Sequence, residues 1–568
     1  MIKRRLLIVF VLMMLMCALP MVNAETGYIY THDNEPIYSD KGFDVSNVYK
    51  FGDLGLRDAD FKSPADLYLF KKELRNEFNE FLGYEEKIYM VDSTSNKLLI
   101  FDKNLGLLKV MGVEDDPLDT YVIDAFELDT TKFTYEQALK INTNGTNGKT
   151  PLIIRDVEGT SVGTISFEDF QATGGSIALN GASGVFRGVV RTTGEDYIYV
   201  CDTLNNQILV LDSANFKVIR VISTPDSHSF KTKAFLPVKM VADSSGRLYV
   251  ISSGINEGII KLSPTGEFYG FTGVNKVALS VWEIFWRNLA TEAQLQQSTQ
   301  VLNQIFNSLC IDDANFIYTT AGPTTNTAGL VTNDNAMIKK LNPAESDVLK
   351  RNGYNVPKGD IVYLKTTQAT SYPDLTSIAV NDYGVYTVAD AANGRLFTYD
   401  AEGNLLYISG GKGTQINELD NPVALVYQGE NLLLLDKNSK ALMVFQPTDI
   451  GAIINSAVKY YVNGDYIESA REWQKVVQKN ANYQYAYLGI GKTLMYEGEY
   501  VEALDYFELG FSQELYSRAF KLYRDDIIKE NFTIVMSAAL ALAVGLIAFN
   551  IYRRIKRGPL EDSGMGDE

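Results

Sequence analysis

Short apolar runs bounded by polar turns return along most of the chain, and the clearest share one form: an apolar run, an Asp, a turn, then a second apolar run. Ile88-Tyr89-Met90-Val91-Asp92 leads through Asn96-Lys97 into Leu98-Leu99-Ile100-Phe101-Asp102. Ile198-Tyr199-Val200-Cys201-Asp202 leads through Asn206-Gln207 into Ile208-Leu209-Val210-Leu211-Asp212. Val385-Tyr386-Thr387-Val388-Ala389-Asp390 leads through Gly394-Arg395 into Leu396-Phe397-Thr398-Tyr399-Asp400, and Leu432-Leu433-Leu434-Leu435-Asp436 leads into Leu442-Met443-Val444-Phe445. Two weaker copies lie between: Leu248-Tyr249-Val250-Ile251-Ser252 with Ile259-Ile260-Lys261-Leu262, and Phe316-Ile317-Tyr318-Thr319-Thr320 with Met337-Ile338-Lys339-Lys340-Leu341. Asp, Asn and Gly between short apolar runs mark strand–turn–strand units. A further strand often precedes the pair and ends in a turn such as Asp243-Ser244-Ser245-Gly246 or Asn381-Asp382-Tyr383-Gly384. One small antiparallel sheet cannot bury both faces, whereas six arranged radially bury them against each other. The pattern therefore predicts a mainly β fold, a six-bladed β-propeller over residues 25–447, with Tyr28-Ile29-Tyr30 closing the ring on the last blade.

Two stretches depart from the repeat. Residues 113–183 are long, polar and Gly/Thr-rich, and residues 278–307 read as helix, with Trp282, Phe285, Trp286 and Leu289 at i, i+3, i+4, i+7. That stripe either packs onto the propeller or stays exposed as an aromatic anchor, so Trp282, Phe285 and Trp286 are partner-binding candidates. After Pro447 the period becomes helical. Gly464-Asp465-Tyr466-Ile467-Glu468-Ser469-Ala470 recurs 34 residues on as Gly498-Glu499-Tyr500-Val501-Glu502-Ala503-Leu504, with Trp473 mapping onto Phe507. This predicts an α-helical stalk over 451–530.

The ends of the chain carry an address. Lys3, Arg4 and Arg5 precede the apolar run 6–19, Pro20 breaks it, and Val22-Asn23-Ala24 offers a cleavage site, which reads as a signal peptide over 1–24. An uncleaved signal anchor is the alternative; Cys17 as a lipid site is disfavoured by the bulky Met16 before it. Residues 532–552 contain no charge, and as helix they would extend about 31 Å, enough to cross a bilayer. Arg553, Arg554, Lys556 and Arg557 follow, the flank expected on the cytoplasmic side. The reading is a single-pass cell-membrane protein, with the ectodomain outside and a cytoplasmic tail over 553–568.

The Tyr-x-x-Asp…Asn-[Lys/Gln/Arg]-[Leu/Ile] pattern resembles the NHL and gluconolactonase-like six-bladed propellers over roughly residues 28–447. The 34-residue repeat resembles tetratricopeptide repeats, whose implied role is protein–protein contact; a rigid spacer is the bland alternative. The whole arrangement looks like a bacterial surface protein family, a resemblance that implies association with carbohydrate-transporter components. Under it the recurring Asp residues are turn formers and blade staples.

Chemistry is thin. There are two histidines, His32 and His228, too few for the clusters that propeller lyases use, and neither a Gly-x-Ser-x-Gly elbow nor a complete phosphate-binding Gly-x-x-x-x-Gly-Lys-Ser/Thr loop occurs, Gly148-Lys149-Thr150 having Thr143 where the first glycine belongs. The gluconolactonase-like alternative, a hydrolase with a divalent cation held by Glu, Asn and Asp oxygens at the propeller centre, keeps the abundant carboxylates in play. Asp243 and Asp382 read more simply as turn residues. No catalytic or cofactor-binding residue is assigned, and a metal is expected only under that alternative. The net charge of −18 would become −21 on losing three signal-peptide cations, which disfavours nucleic acid as a partner. After processing Cys201 and Cys310 remain, both in apolar runs, so ordinary burial is expected, with a Cys201–Cys310 bridge as the alternative. The functional expectation is a non-catalytic binding scaffold or sensor with membrane and protein partners.

Overall fold

The computed structural model describes residues 27–76, 78–112, 152–155, 161–165, 179–216, 218–227, 230–231, 233–273, 304–325, 331–364, 369–416 and 418–556. It falls into two compact units that meet after Asn455.

The first unit is the propeller. Blade 1 is Pro64–Arg75, Phe81–Asp92, Lys97–Asp102 and Leu107–Gly112, four antiparallel strands in chain order from the axis outward. Blade 2 is Ala182–Val189, Asp196–Asp202, Gln207–Asp212 and Val218–Ile222; blade 3 is Pro237–Ala242, Leu248–Ser252, Ile259–Leu262 and Phe268–Thr272. Blade 4 has three paired strands, Phe306–Ile311, Ile317–Ala321 and Ile338–Leu341. Blade 5 is Leu375–Val380, Tyr386–Asp390, Arg395–Tyr399 and Leu405–Gly410. Blade 6 takes Pro422–Gln428, Asn431–Asp436 and Ala441–Pro447 from the end of the ring and Phe43–Tyr49 from its beginning. The first strands of successive blades touch around the ring, and the last touches the first.

The closing strand is therefore Phe43–Tyr49, not Tyr28-Ile29-Tyr30. Tyr28–Tyr30 instead pairs with Pro36–Tyr38 in a small hairpin. Its anchor is polar: Tyr30 donates to Asp360 Oδ1 at 2.7 Å, Arg395 donates to Asp360 Oδ2 at 2.8 Å, and the Tyr28 hydroxyl bonds both partners. The insertions are also shorter than expected at their ends, since 182–183 and 306–307 already lie in first strands.

The repeated Asp residues hold each blade to its entry loop. Asp92, at the end of a second strand and fully buried, accepts from Ser63 N at 2.6 Å and from Thr94 N and Ser95 N beyond the strand. Asp202 receives Asn180 N, Asn205 Nδ2 and Gln207 Nε2; Asp390 receives Asp374 N and Ala392 N; Asp436 receives Asp420 N, Asn421 N and Ser439 N. In register the same position is Ser252 in blade 3, which accepts one bond from Leu236 N, and Ala321 in blade 4. Each first strand carries a bulge one residue in, and the bulged residue often stitches to the next blade. Ser183 donates to Val238 O, Asn307 to Leu375 O and Thr376 to Pro422 O.

The second unit is helical. The described helices are α1 (Asp449–Asn463), which straddles the boundary, then α2 (Tyr466–Lys479), α3 (Gln484–Glu497), α4 (Tyr500–Leu509) and α5 (Gln513–Lys556). Buried positions follow the 34-residue repeat: Ser469 and Trp473 in α2, Ala503 and Phe507 in α4. Close approach of α3 requires glycine, because a Cβ on Gly489 would lie 2.4 Å from the Trp473 ring. Helix α5 is continuous through the apolar segment, which is long and apolar enough to cross a membrane.

Candidate functional site

Three polar or apolar features break the repeat, in blades 1, 3 and 4. The first lies near the axis. The positions just after the six bulges are Asp66, Gly184, Lys239, Ser308, Ser377 and Ala424. Lys239 of blade 3 reaches Asp66 of blade 1 at 2.7 Å, and the other Asp66 oxygen accepts from Val185 N of blade 2 between them. Burial raises both cysteine thiols nearby, Cys310 up to about 12, and both are free. An ion pair of this kind ties three blades together around a buried Asp66.

The second is a buried cation in blade 4. In register with Leu99, Leu209, Ile260, Phe397 and Met443 of the other blades, blade 4 has Lys339, which is fully buried. Its Nζ donates to Gln304 Oε1 at 2.7 Å and to Gly273 O, and Gln304 in turn donates to Gly322 O and Ala336 O. No carboxylate among the described residues pairs with it, and burial pushes its pKa down to about 8.

The third is an arm. The first two strands of blade 1 run past the sheet: the third strand pairs from Lys87 onward, whereas residues 71–75 and 81–86 pair with each other as a projecting ribbon. The arm root is gripped from blade 2. Arg187, buried, makes a bidentate pair with Asp196 (2.8 and 2.7 Å), donates to Glu85 at 3.1 Å and Tyr89 at 2.9 Å, and stacks 3.7 Å above the Phe70 ring. Burial opposes the Arg187 charge, but Asp196 and Tyr89 outweigh it and hold the pKa above its usual value. Burial likewise opposes the Glu85 carboxylate, and Lys87 and Arg187 outweigh it and hold its pKa down. On the opposite face Lys71 bonds Asp382 of blade 5 at 3.0 Å and lies over the Tyr84 ring.

The tip of the arm is a built turn. Asn76 Oδ1 accepts from Phe78 N and Glu80 N, and Arg75 bonds Glu73 and Asn79 O. Around this framework Phe78 is 84% exposed, Leu82 66% and Phe81 54%, with Leu74 and Tyr84 also exposed. The arm is thus an ordered support that carries several large apolar side chains into solvent.

Trp282, Phe285 and Trp286 lie outside the described residues, as does His228. Asp243 is a turn residue, accepting from Ser245 N and Arg247 N and pairing with Arg247; Asp382 sits exposed in a turn against Lys71. Among the described residues no group of three or more His, Cys, Asp or Glu is placed to hold a metal. The arm escaped the sequence reading because only Ile88–Val91 forms an apolar run, the charged Glu85-Glu86-Lys87 before it reading as its boundary, and only the shorter third strand shows where the sheet ends.

No family model matches the chain, and no curated protein matches it. Among solved structures it is similar to virginiamycin B lyase from Staphylococcus aureus, at 10% identity and TM-score 0.34, over 72% of this chain and 100% of that one. A streptogramin B lyase matches at 11% identity and TM-score 0.31, over 67% and 98% of the two chains. Kuenenia stuttgartiensis hydrazine synthase matches at 10% and 0.31, over 64% and 92%. Likenesses this distant carry no argument about activity. The chain is a six-bladed β-propeller followed by a helical region that ends in one long apolar helix.

Proposed function

We propose that the protein is a non-catalytic binding scaffold, held to the cell membrane by α5 with the propeller outside, and that the blade 1 arm is where the propeller meets a protein partner. The observation that carries this is the arm itself: a projecting ribbon locked at its root by Arg187 and apolar at its tip. Other exposed large apolar side chains of the ring, such as Leu204, Tyr269 and Ile416, lie on separate blades, whereas Leu74, Phe78, Phe81, Leu82 and Tyr84 share one ribbon. The basic flank after residue 552 supports the orientation, and the NHL-like and tetratricopeptide-like resemblances fit a contact protein. Association with carbohydrate-transporter components is part of the same proposal and rests on the sequence resemblance alone.

The test is native electrophoresis of the full chain solubilised from its own membranes, with Phe81→Ser and Leu82→Ser compared with the unaltered chain. Both changes are at exposed positions, so folding is expected to survive. The expected result is loss of a higher-mass complex. Retention of the complex by the double variant would overturn the reading, as would chelator-sensitive lactone turnover by the purified chain.

A further inference from the structure

Helix α4 and the start of α5 are joined by a short turn and pack side by side, with Ala519 buried, so they run antiparallel. Counting along α5, the start of α4 at Tyr500 is level with about residue 522. The uncharged segment begins at Phe532, so Tyr500 stands about 15 Å above it. Because α2, α3 and α4 alternate in direction, the turn between α1 and α2 lies at the same end as the turn between α3 and α4.

That end carries an unusual edge. Tyr466 and Tyr496, one from each turn, stack at 4.6 Å with an interplanar angle of 3°, and Tyr461 meets Tyr466 edge-on. Beside them Val462, Ile467, Tyr496 and Val501 are each half exposed or more. Val462 and Ile467 map onto Tyr496 and Val501 at the 34-residue offset, so the repeat itself writes this strip twice. Asp465, Glu468, Glu497, Glu499 and Glu502 flank it along the chain, Glu468 paired with Arg471.

Lipid is a poor occupant for such a surface. A headgroup layer is about 5–8 Å deep on each side, less than the height of the edge, and five carboxylates oppose contact with anionic lipid. A protein surface combining cations with apolar side chains satisfies both parts of the edge. We propose that this edge docks a second integral membrane protein, through a basic and apolar surface that stands about 10–20 Å above the hydrocarbon core on the side of the helical unit. The inference rests on α5 being a membrane anchor, as in the proposed function, and is independent of the arm.

The experiment uses the full chain in its native membrane, with a photo-crosslinking side chain installed at Ile467, at Val501 or, as control, at Lys475 further along α2. Irradiation is repeated with Glu499→Lys and Glu502→Lys together. Probes at 467 and 501 are expected to capture an integral membrane protein through a Lys- or Arg-bearing peptide next to one of its spans. The charge reversal should reduce that adduct at least tenfold, and the 475 probe should give none. Adducts to lipid alone, no adduct, an adduct indifferent to the reversal, or equal capture from position 475 would each overturn the docking proposal. Alkaline carbonate extraction separates the two levels: a chain that stays in the membrane yet gives no adduct sinks only the docking edge, whereas a chain that is extracted sinks the anchor as well.

Discussion

Replacing Lys339 with Met puts the energetics of blade 4 to a quantitative test. The ammonium is fully buried where five blades have apolar side chains, and its pKa falls from 10.5 to about 8, chiefly because burial disfavours the charge. The unfolded chain holds this proton up to about pH 10.5, whereas the folded chain releases it near pH 8. Between those limits the unfolded state binds more protons, so stability rises with pH. Below pH 8 the folded state carries the whole penalty, about 3 kcal/mol. Met removes that penalty but leaves Gly273 O and Gln304 Oε1 without their donor, at about 1–3 kcal/mol each, so near pH 7 the effects largely offset. The pH dependence discriminates better than the net value. From pH 7 to 10.5 the unaltered chain should gain about 3 kcal/mol relative to Lys339→Met. Urea unfolding of the full chain in non-ionic detergent, followed by circular dichroism, measures this, and titrations common to both chains cancel. Parallel stability profiles across that range would refute the claim that the amine is desolvated and charged in the fold.

The staples and the helical packing offer simpler checks. Asp92→Ala removes the acceptor of three backbone N–H groups and should destabilise the propeller by about 3 kcal/mol, against about 1 kcal/mol for Ser252→Ala, which removes one; urea midpoints compare them. Gly489→Ala should destabilise the helical unit by about 1–3 kcal/mol although alanine favours helix, because its Cβ meets Trp473; faster hydrogen exchange over α3 is the expected readout, and unchanged protection would contradict it.

Much of the ring is legible because a blade repeats its physics. A second and a third strand buried on both faces read as apolar runs, and the staple Asp has to follow the second directly. Hence Asp92, Asp202, Asp390 and Asp436 all stand out in the sequence as turn formers and staples, and the structure places them so. The closing strand was less visible for the converse reason. Phe43–Tyr49 lies at the outer edge of blade 6, so Asp44, Ser46 and Asn47 are acceptable there, and a bulge between Val45 and Asn47 breaks its alternation. Tyr28-Ile29-Tyr30 looked more strand-like but spends its tyrosines on Asp360 and Arg395.

The places where the repeat fails are more informative than those where it holds. A ring of like blades needs only apolar second and third strands, a staple and a stitch, and blades 2, 5 and 6 contain little else. Blade 1 adds an arm, blade 3 sends Lys239 across to Asp66, and blade 4 replaces a staple with Ala321 and a core residue with Lys339. None of these changes improves the packing of a blade: two put a cation on buried ground, one removes a staple and one carries aromatic side chains into water, each a net cost unless something uses it. Arg187 shows that the arm is not slack chain, since a buried guanidinium with four separate partners specifies where the ribbon points. The exposed strip of the helical unit is specified in the same way, written twice by the repeat and fixed by the Tyr466–Tyr496 stack. Two ordered apolar surfaces, one in each unit, are the observations on which the proposed scaffold role and the proposed docking edge stand or fall.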